Sequence, residues 1–102
     1  MDRQAAINIA KEYISHLSLS GYIIRSSYLF GSFAKGTNHI DSDIDIAIIL
    51  NDFSNSHDEM VKMMKLRRKI SFLIEPHPIR EVDFVETNPL FNEIKTNGIQ
   101  IS

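Results

Sequence analysis

Residues 31–50, GSFAKGTNHIDSDIDIAIIL, join a glycine turn to one of the most apolar runs of the chain, and two aspartates stand at the junction. The final part, residues 43–50, predicts a strand covered on both faces, because apolar residues follow one another almost without a break. In a strand, Asp43 and Asp45 point to the same face with Cα atoms roughly 6.5–7 Å apart. Two unit charges 4 Å apart repel by about 4 kcal/mol at an effective dielectric constant near 20. One carboxylate must therefore be protonated, or both must turn into water, or a divalent cation must lie between them, and oxygen ligands favour Mg²⁺.

A third carboxylate is predicted in REVDFVE, residues 80–86, which alternates charged and apolar residues as a strand does. Asp83 is the candidate, since its two neighbours point to the opposite face. Glu81 on the same face and Glu75 in the preceding EPHP segment remain alternatives. If this strand pairs beside residues 43–50, three carboxylates converge. Such a group can hold two metal ions about 3.5–4 Å apart, the arrangement used for in-line attack on phosphorus.

The glycine turn provides groups that complement these acids. Gly31 and Ser32 follow a predicted strand and begin a short helical turn, where free backbone N–H groups bind phosphate oxygens. Gly31 permits close approach of the backbone, Ser32 offers a hydroxyl, and Lys35 adds a positive charge. The three residues predict a nucleotide-phosphate pocket beside the metal site.

The rest of the chain predicts helices alternating with strands. Residues 2–19 and 57–74 have helical apolar spacing, and residues 22–30 are rich in β-branched and aromatic side chains. Pro76 and Pro78 predict a loop, and residues 88–98 predict a helix that ends at a glycine before the short strand IQI. We expect one domain over residues 1–102 of the α/β (α+β) class, with helices packed on a small mixed sheet.

Composition narrows the function classes. The chain has 102 residues, 43% of them hydrophobic, a formal net charge of −2 and no cysteine. This charge gives no reason to expect bulk affinity for nucleic acid or for an anionic membrane, and thiolate chemistry is excluded. The sequence contains neither a signal-peptide pattern nor an apolar run of the roughly 20 residues that span a bilayer, so a cytoplasmic protein is expected.

The motif Gly31-Ser32, ten intervening residues and Asp43-x-Asp45 resembles that of polymerase-β-like nucleotidyltransferases. The stretch GSFAKG…SDIDIAI is most similar to their minimal members, small domains often encoded beside a helical HEPN-domain partner. The resemblance spans roughly residues 20–86 and implies the fold of that family. It also implies that Gly31 and Ser32 hold a triphosphate, and that Asp43, Asp45 and Asp83 bind two Mg²⁺ ions and carry catalysis.

The resemblance further implies a function. A Mg²⁺-dependent enzyme would transfer a nucleoside monophosphate, AMP from ATP or its equivalent from another triphosphate, to a hydroxyl. In similar minimal members the acceptor is a tyrosine of the HEPN-type toxin partner, which is an antitoxin role. The sequence ends at Ser102, without the C-terminal helical domain of larger relatives, so a HEPN-type partner, a second copy or the acceptor itself would complete the site. Two alternatives remain: a catalytically silent module that neutralises a helical partner by occlusion and, with less support, an antibiotic nucleotidyltransferase.

Overall fold

The computed structural model describes all 102 residues and contains four helices, four strands and two 3₁₀ turns. The helices are α1 (Arg3–Leu19), α2 (Ser32–Lys35), α3 (Ser56–Leu66) and α4 (Pro89–Asn97). The strands are β1 (Ile24–Phe30), β2 (Ile44–Leu50), β3 (Ile74–Arg80) and β4 (Ile99–Gln100). The 3₁₀ turns cover Arg67–Lys69 and Glu81–Asp83.

The four strands form one mixed sheet in the order β3-β2-β1-β4. Strand β1 is antiparallel to both β2 and β4, whereas β2 and β3 are parallel. Parallel strands begin at the same end of a sheet, so the residues that precede β2 and β3 lie side by side. The predicted mixed sheet with packed helices is confirmed.

Helices cover both faces of the sheet. On one face, Ile44, Ile46 and Ile48 join the main core with α1 and α3. On the other face, Ala47 and Ile49 form a smaller core with Ile94 of α4. Strand β2 is therefore buried on both sides, as its apolar run predicts, and a charged side chain in it can lie only near its end.

The first turn of α1 also fixes the short helix α2. The side chain of Asp2 caps α1 by accepting a hydrogen bond from Ala5 N (2.8 Å). Arg3 then donates through Nε to Phe33 O (3.1 Å) and through Nη2 to Ala34 O (3.0 Å). These two carbonyl groups lie near the end of α2, where helix carbonyls otherwise lack partners. At 17 residues, α1 is the longest helix, and no helix in the chain has the length and apolarity to cross a membrane.

Two sequence predictions about the second half of the chain were wrong. The helix predicted over 57–74 ends at Leu66, and a 3₁₀ turn follows. Arg67 Nη1 donates to the carbonyl of Ile74 (2.8 Å), which ties the turn to the start of β3. The third strand runs from residue 74 to 80, over the predicted EPHP loop, and not over 80–86.

Strand β3 accommodates two prolines because it lies at the edge of the sheet. Ile44 N donates to Leu73 O (2.8 Å), so the odd-numbered residues of β3 carry the ladder to β2. The nitrogens of Pro76 and Pro78 consequently point away from β2, where no N–H is needed. The prolines also remove two donors from this edge, which disfavours pairing with a further strand.

We expect the change Tyr13→Phe to lower the free energy of unfolding by about 1–2 kcal/mol, because a buried carbonyl would lose its partner. The hydroxyl of Tyr13 donates to Met63 O (2.6 Å) and connects α1 to α3 in the core. Urea denaturation measures the loss. Tyr28→Phe, on the other face of the sheet, is the control and should change stability by less than about 0.5 kcal/mol. Equal losses in the two variants would contradict this role of Tyr13.

Candidate active site

Two carboxylates and an imidazole meet across the parallel pair of strands. Asp45 on β2 lies in register with Glu75 on β3, and Ala47 with His77. His77 Nε2 is 3.3 Å from Asp45 Oδ1 and 3.6 Å from Glu75 Oε1. Asp43 lies just before β2, at the same end of the sheet, and is exposed.

This arrangement matches the geometry of a cation site. Asp45, Glu75 and His77 each offer one ligand atom, and these atoms lie within 4.8 Å of one another. The three side chains are half-buried, so an ion there remains accessible from solvent. The ring of Phe30, which pairs with Asp45 from β1, meets the His77 ring edge to face at 4.9 Å.

The electrostatics of the cluster also favour a cation. Burial raises the pKa of the Glu75 carboxyl above its usual value, and the nearby charges of Asp45 and Asp43 raise this pKa further. The basic side chain of His77 acts in the opposite direction and lowers the pKa of Glu75. A divalent cation bound among these carboxylates would compensate their negative charge.

The glycine turn lies against these carboxylates. Gly31 has a φ of +73°, which side chains rarely allow, and a Cβ atom there would overlap Asp45 Oδ2. Helix α2 begins at Ser32, so its first N–H groups have no helical partner. The predicted phosphate-binding backbone and the predicted metal-binding Asp45 are thus direct neighbours.

The loop before Asp43 is closed by a buried serine. Ser42 Oγ accepts a hydrogen bond from His39 N (2.8 Å), and Ser42 N donates to His39 O (3.0 Å). The serine is only 7% exposed. This turn orients the chain where Asp43 enters β2.

The structure does not bring every predicted site residue to this end of the sheet. Asp83 lies beyond the opposite end of β3, where it accepts a hydrogen bond from Arg80 Nε (2.8 Å). At about 3.3 Å per residue, five residues of strand separate Arg80 from Glu75 by roughly 16 Å. Glu81 is also distant and pairs with Arg25 (3.4 Å). The expected convergence of Asp83 with Asp43 and Asp45 is therefore corrected: Glu75 has this place.

Lys35, predicted to contact phosphate, forms an ion pair with Glu93 of α4 (Nζ to Oε1, 3.1 Å). Its side chain is 42% exposed, so the pair is open to exchange with an anionic ligand.

The sequence reasoning missed His77, because the four histidines share no metal-ligand spacing. It gave Glu75 only as an alternative, because two prolines were taken to indicate a loop. The available signal was the spacing of two between Glu75 and His77, which places both on one face of a strand.

Comparison with known proteins agrees with this geometry. The family model described as polymerase beta, nucleotidyltransferase, matches residues 11–101. The chain belongs to this nucleotidyltransferase family. The matched region includes the glycine turn, both aspartates and all of β3. No curated protein matches the sequence significantly.

Solved structures with the same fold include toxin-antitoxin complexes. A toxin-antitoxin structure with AMP-PNP has a TM-score of 0.68 and 26% identity, covering 90% of this chain and 72% of that chain. A variant of the toxin-antitoxin MntA-HpeT with one tyrosine replaced by alanine has a TM-score of 0.66 and 27% identity, covering 89% and 69%. A candidate nucleotidyltransferase from Sulfolobus solfataricus has a TM-score of 0.68 at 22% identity, covering 96% and 80%, and shows the shared fold. This nucleotidyltransferase resembles the minimal members of the family, as the sequence indicates.

We expect Gly31→Ala to destabilise the protein more than Gly21→Ala. Both glycines have positive φ, and the backbone strain of a side chain there costs about 1–3 kcal/mol. At Gly21 nothing lies within 4 Å of the added methyl group, whereas at Gly31 it would displace the Asp45 carboxylate. Urea denaturation of both variants separates backbone strain from overlap. Equal losses would show that Asp45 does not constrain the turn.

We expect Glu75→Gln to stabilise the metal-free protein at neutral pH. The folded pKa of Glu75 lies above its unfolded value, so the folded state binds more protons between the two values. The free energy of unfolding therefore falls as the pH rises through that window, and glutamine removes this loss. The gain should shrink as the pH falls toward the ordinary glutamate pKa of about 4.3.

Thermal melts in EDTA from pH 4 to 8 measure this difference. Glu12→Gln, on an exposed face of α1, controls for the removal of one negative charge. A Glu75→Gln variant no more stable than wild type at pH 7 would contradict the argument.

Proposed function

We propose that this chain transfers a nucleoside monophosphate, AMP from ATP, to a hydroxyl group of a partner protein. The observation that carries the proposal is the register of Asp45 with Glu75, beside both Asp43 and the turn at Gly31. Acidic ligands and a phosphate-binding backbone, side by side, are what a nucleoside triphosphate bound with cations requires. Membership of the nucleotidyltransferase family supports this reaction class.

In the proposed reaction the acceptor oxygen attacks the α-phosphorus of the triphosphate. The bond from the α-phosphorus to the bridging oxygen breaks, and pyrophosphate leaves with the electron pair. One Glu75 carboxylate oxygen accepts the proton of the acceptor hydroxyl. The role that the resemblance gave to Asp83 is thus assigned to Glu75.

Asp43, Asp45 and Glu75 would hold the cations, Mg²⁺ among them. Bound there, divalent ions neutralise the triphosphate and the charge that develops on the leaving pyrophosphate. Backbone N–H groups at Ser32 orient the phosphate oxygens. Lys35 exchanges Glu93 for a phosphate oxygen when the nucleotide binds, because its present ion pair is solvent-exposed.

The acceptor is proposed to be a tyrosine of a helical, HEPN-type toxin partner, with this chain as the antitoxin. The resemblance to minimal nucleotidyltransferases supports this assignment, together with similarity to toxin-antitoxin structures, one of them with AMP-PNP. Another neighbour, at 24% identity, is an MntA-HpeT variant in which two aspartates, two positions apart, are replaced by glutamate. That spacing equals the spacing of Asp43 and Asp45.

Transfer is tested with ATP labelled at the α-phosphate, Mg²⁺ and a lysate of the source cells. We expect a labelled protein whose modified residue is a tyrosine by mass spectrometry. Asp45→Asn and Glu75→Gln should reduce labelling by about 100-fold or more, as expected for loss of a ligand or base. Asp83→Asn is the matched control and should retain labelling, because Asp83 pairs with Arg80 far from the site.

A second measurement does not depend on the acceptor. AMP-PNP should bind the wild-type protein in the presence of Mg²⁺, and Asp45→Asn should weaken this binding. Absence of both nucleotide binding and labelling would refute the proposal. Full neutralisation of the toxin by Asp45→Asn, without labelling by wild type, would instead favour an occluding binding module.

A further inference from the structure

We propose that His77 provides a nitrogen ligand to a second cation site, formed with Asp45 and Glu75, that prefers Mn²⁺ to Mg²⁺. The inference rests on the proposed function only for the presence of divalent cations at this edge. It assigns one ion to the oxygen ligands of Asp43 and Asp45, and another to a mixed nitrogen and oxygen set. Asp45 bridges the two sites.

The distances support direct ligation. Metal bonds to imidazole nitrogen and carboxylate oxygen are about 2.1 Å long, so two such ligands at a right angle are about 3.0 Å apart. His77 Nε2 lies 3.3 Å from Asp45 Oδ1 and 3.6 Å from Glu75 Oε1. Small side-chain rotations therefore suffice to place all three atoms around one ion.

The identity of the donors distinguishes Mn²⁺ from Mg²⁺. Mg²⁺ demands octahedral oxygen ligands and keeps several waters, whereas imidazole favours first-row transition ions. Mn²⁺ accepts carboxylates and phosphate oxygens as Mg²⁺ does. Of these two ions, Mn²⁺ fits a site with two carboxylates and one histidine better.

His77 is held in this position by its strand. Pro76 and Pro78 restrict the backbone on both sides of it, and the ring of Phe30 packs against the imidazole at 4.9 Å. A ligand with few accessible rotamers loses little entropy when a metal binds. The other three histidines (His16, His39, His57) lie outside this cluster.

The competing explanation is that His77 only donates a hydrogen bond to Asp45 and never contacts an ion. Electron spin echo spectroscopy of bound Mn²⁺ distinguishes the two cases, because a directly bound nitrogen couples to the electron spin. The full-length protein is labelled with ¹⁵N-histidine and loaded with Mn²⁺ alone. We expect a histidine nitrogen coupling in the wild type that is absent in His77→Gln.

Affinities provide the second readout. Mn²⁺ binding, measured from the signal of the free ion, should weaken at least 10-fold in His77→Gln. Mg²⁺ binding to the same variant, measured by calorimetry, should weaken less than 3-fold. His57→Gln, at an exposed histidine on α3, should change neither affinity nor the nitrogen coupling.

The proposal is overturned if the wild type binds no Mn²⁺, if bound Mn²⁺ shows no histidine coupling, or if both metals weaken equally. If His77→Gln does not fold, the coupling in wild type and its persistence in His57→Gln decide. AMP transfer with Mg²⁺ but no histidine coupling would leave the proposed function intact and reject this site. Histidine coupling in a protein that transfers no nucleotide would support this cation site and reject the proposed function.

Discussion

The parallel register of β2 and β3 is the constraint on which the site depends. It sets Asp45 beside Glu75 at the end of the sheet where Asp43 precedes β2. Negative charge is therefore concentrated on a half-buried surface. Burial and neighbouring carboxylates raise the pKa of Glu75, which indicates that the folded protein holds these groups together against their repulsion. Cores on both faces of β2 supply the stability that opposes this repulsion.

The remaining parts of the site are attached to that register by short, specific contacts. Gly31 permits the turn to lie directly on Asp45, since a larger residue would occupy the carboxylate position. Arg3 holds the carbonyls at the end of α2, so the longest helix of the protein supports the turn that we propose to bind phosphate. Ser42 closes the loop that leads to Asp43. Each contact orders backbone, and an ordered backbone lowers the entropy lost when a ligand binds.

Strand β3 combines two tasks that its sequence alone does not reveal together. Its prolines suit the edge of the sheet because their nitrogens face away from β2. Glu75 precedes the two prolines and His77 lies between them. Both side chains point to the face of the sheet that carries Asp45. A segment that resembles a loop in composition therefore supplies two of the three side chains of the cluster. The ion pair of Lys35 with Glu93 links α2 to α4.

The sequence by itself determined the family, the mixed sheet with its helices, and the proximity of the glycine turn to Asp45, because these depend on local motifs and on apolar periodicity. Only the tertiary structure placed Glu75 and His77, and not Asp83, beside Asp45. Alternation in residues 80–86 imitates a strand, yet Val82 in that segment is 72% exposed. Proline disfavours a strand except at an edge, and which strand is the edge depends on the order of the whole sheet. Register between distant segments arises from packing on both faces, which no short stretch of sequence contains.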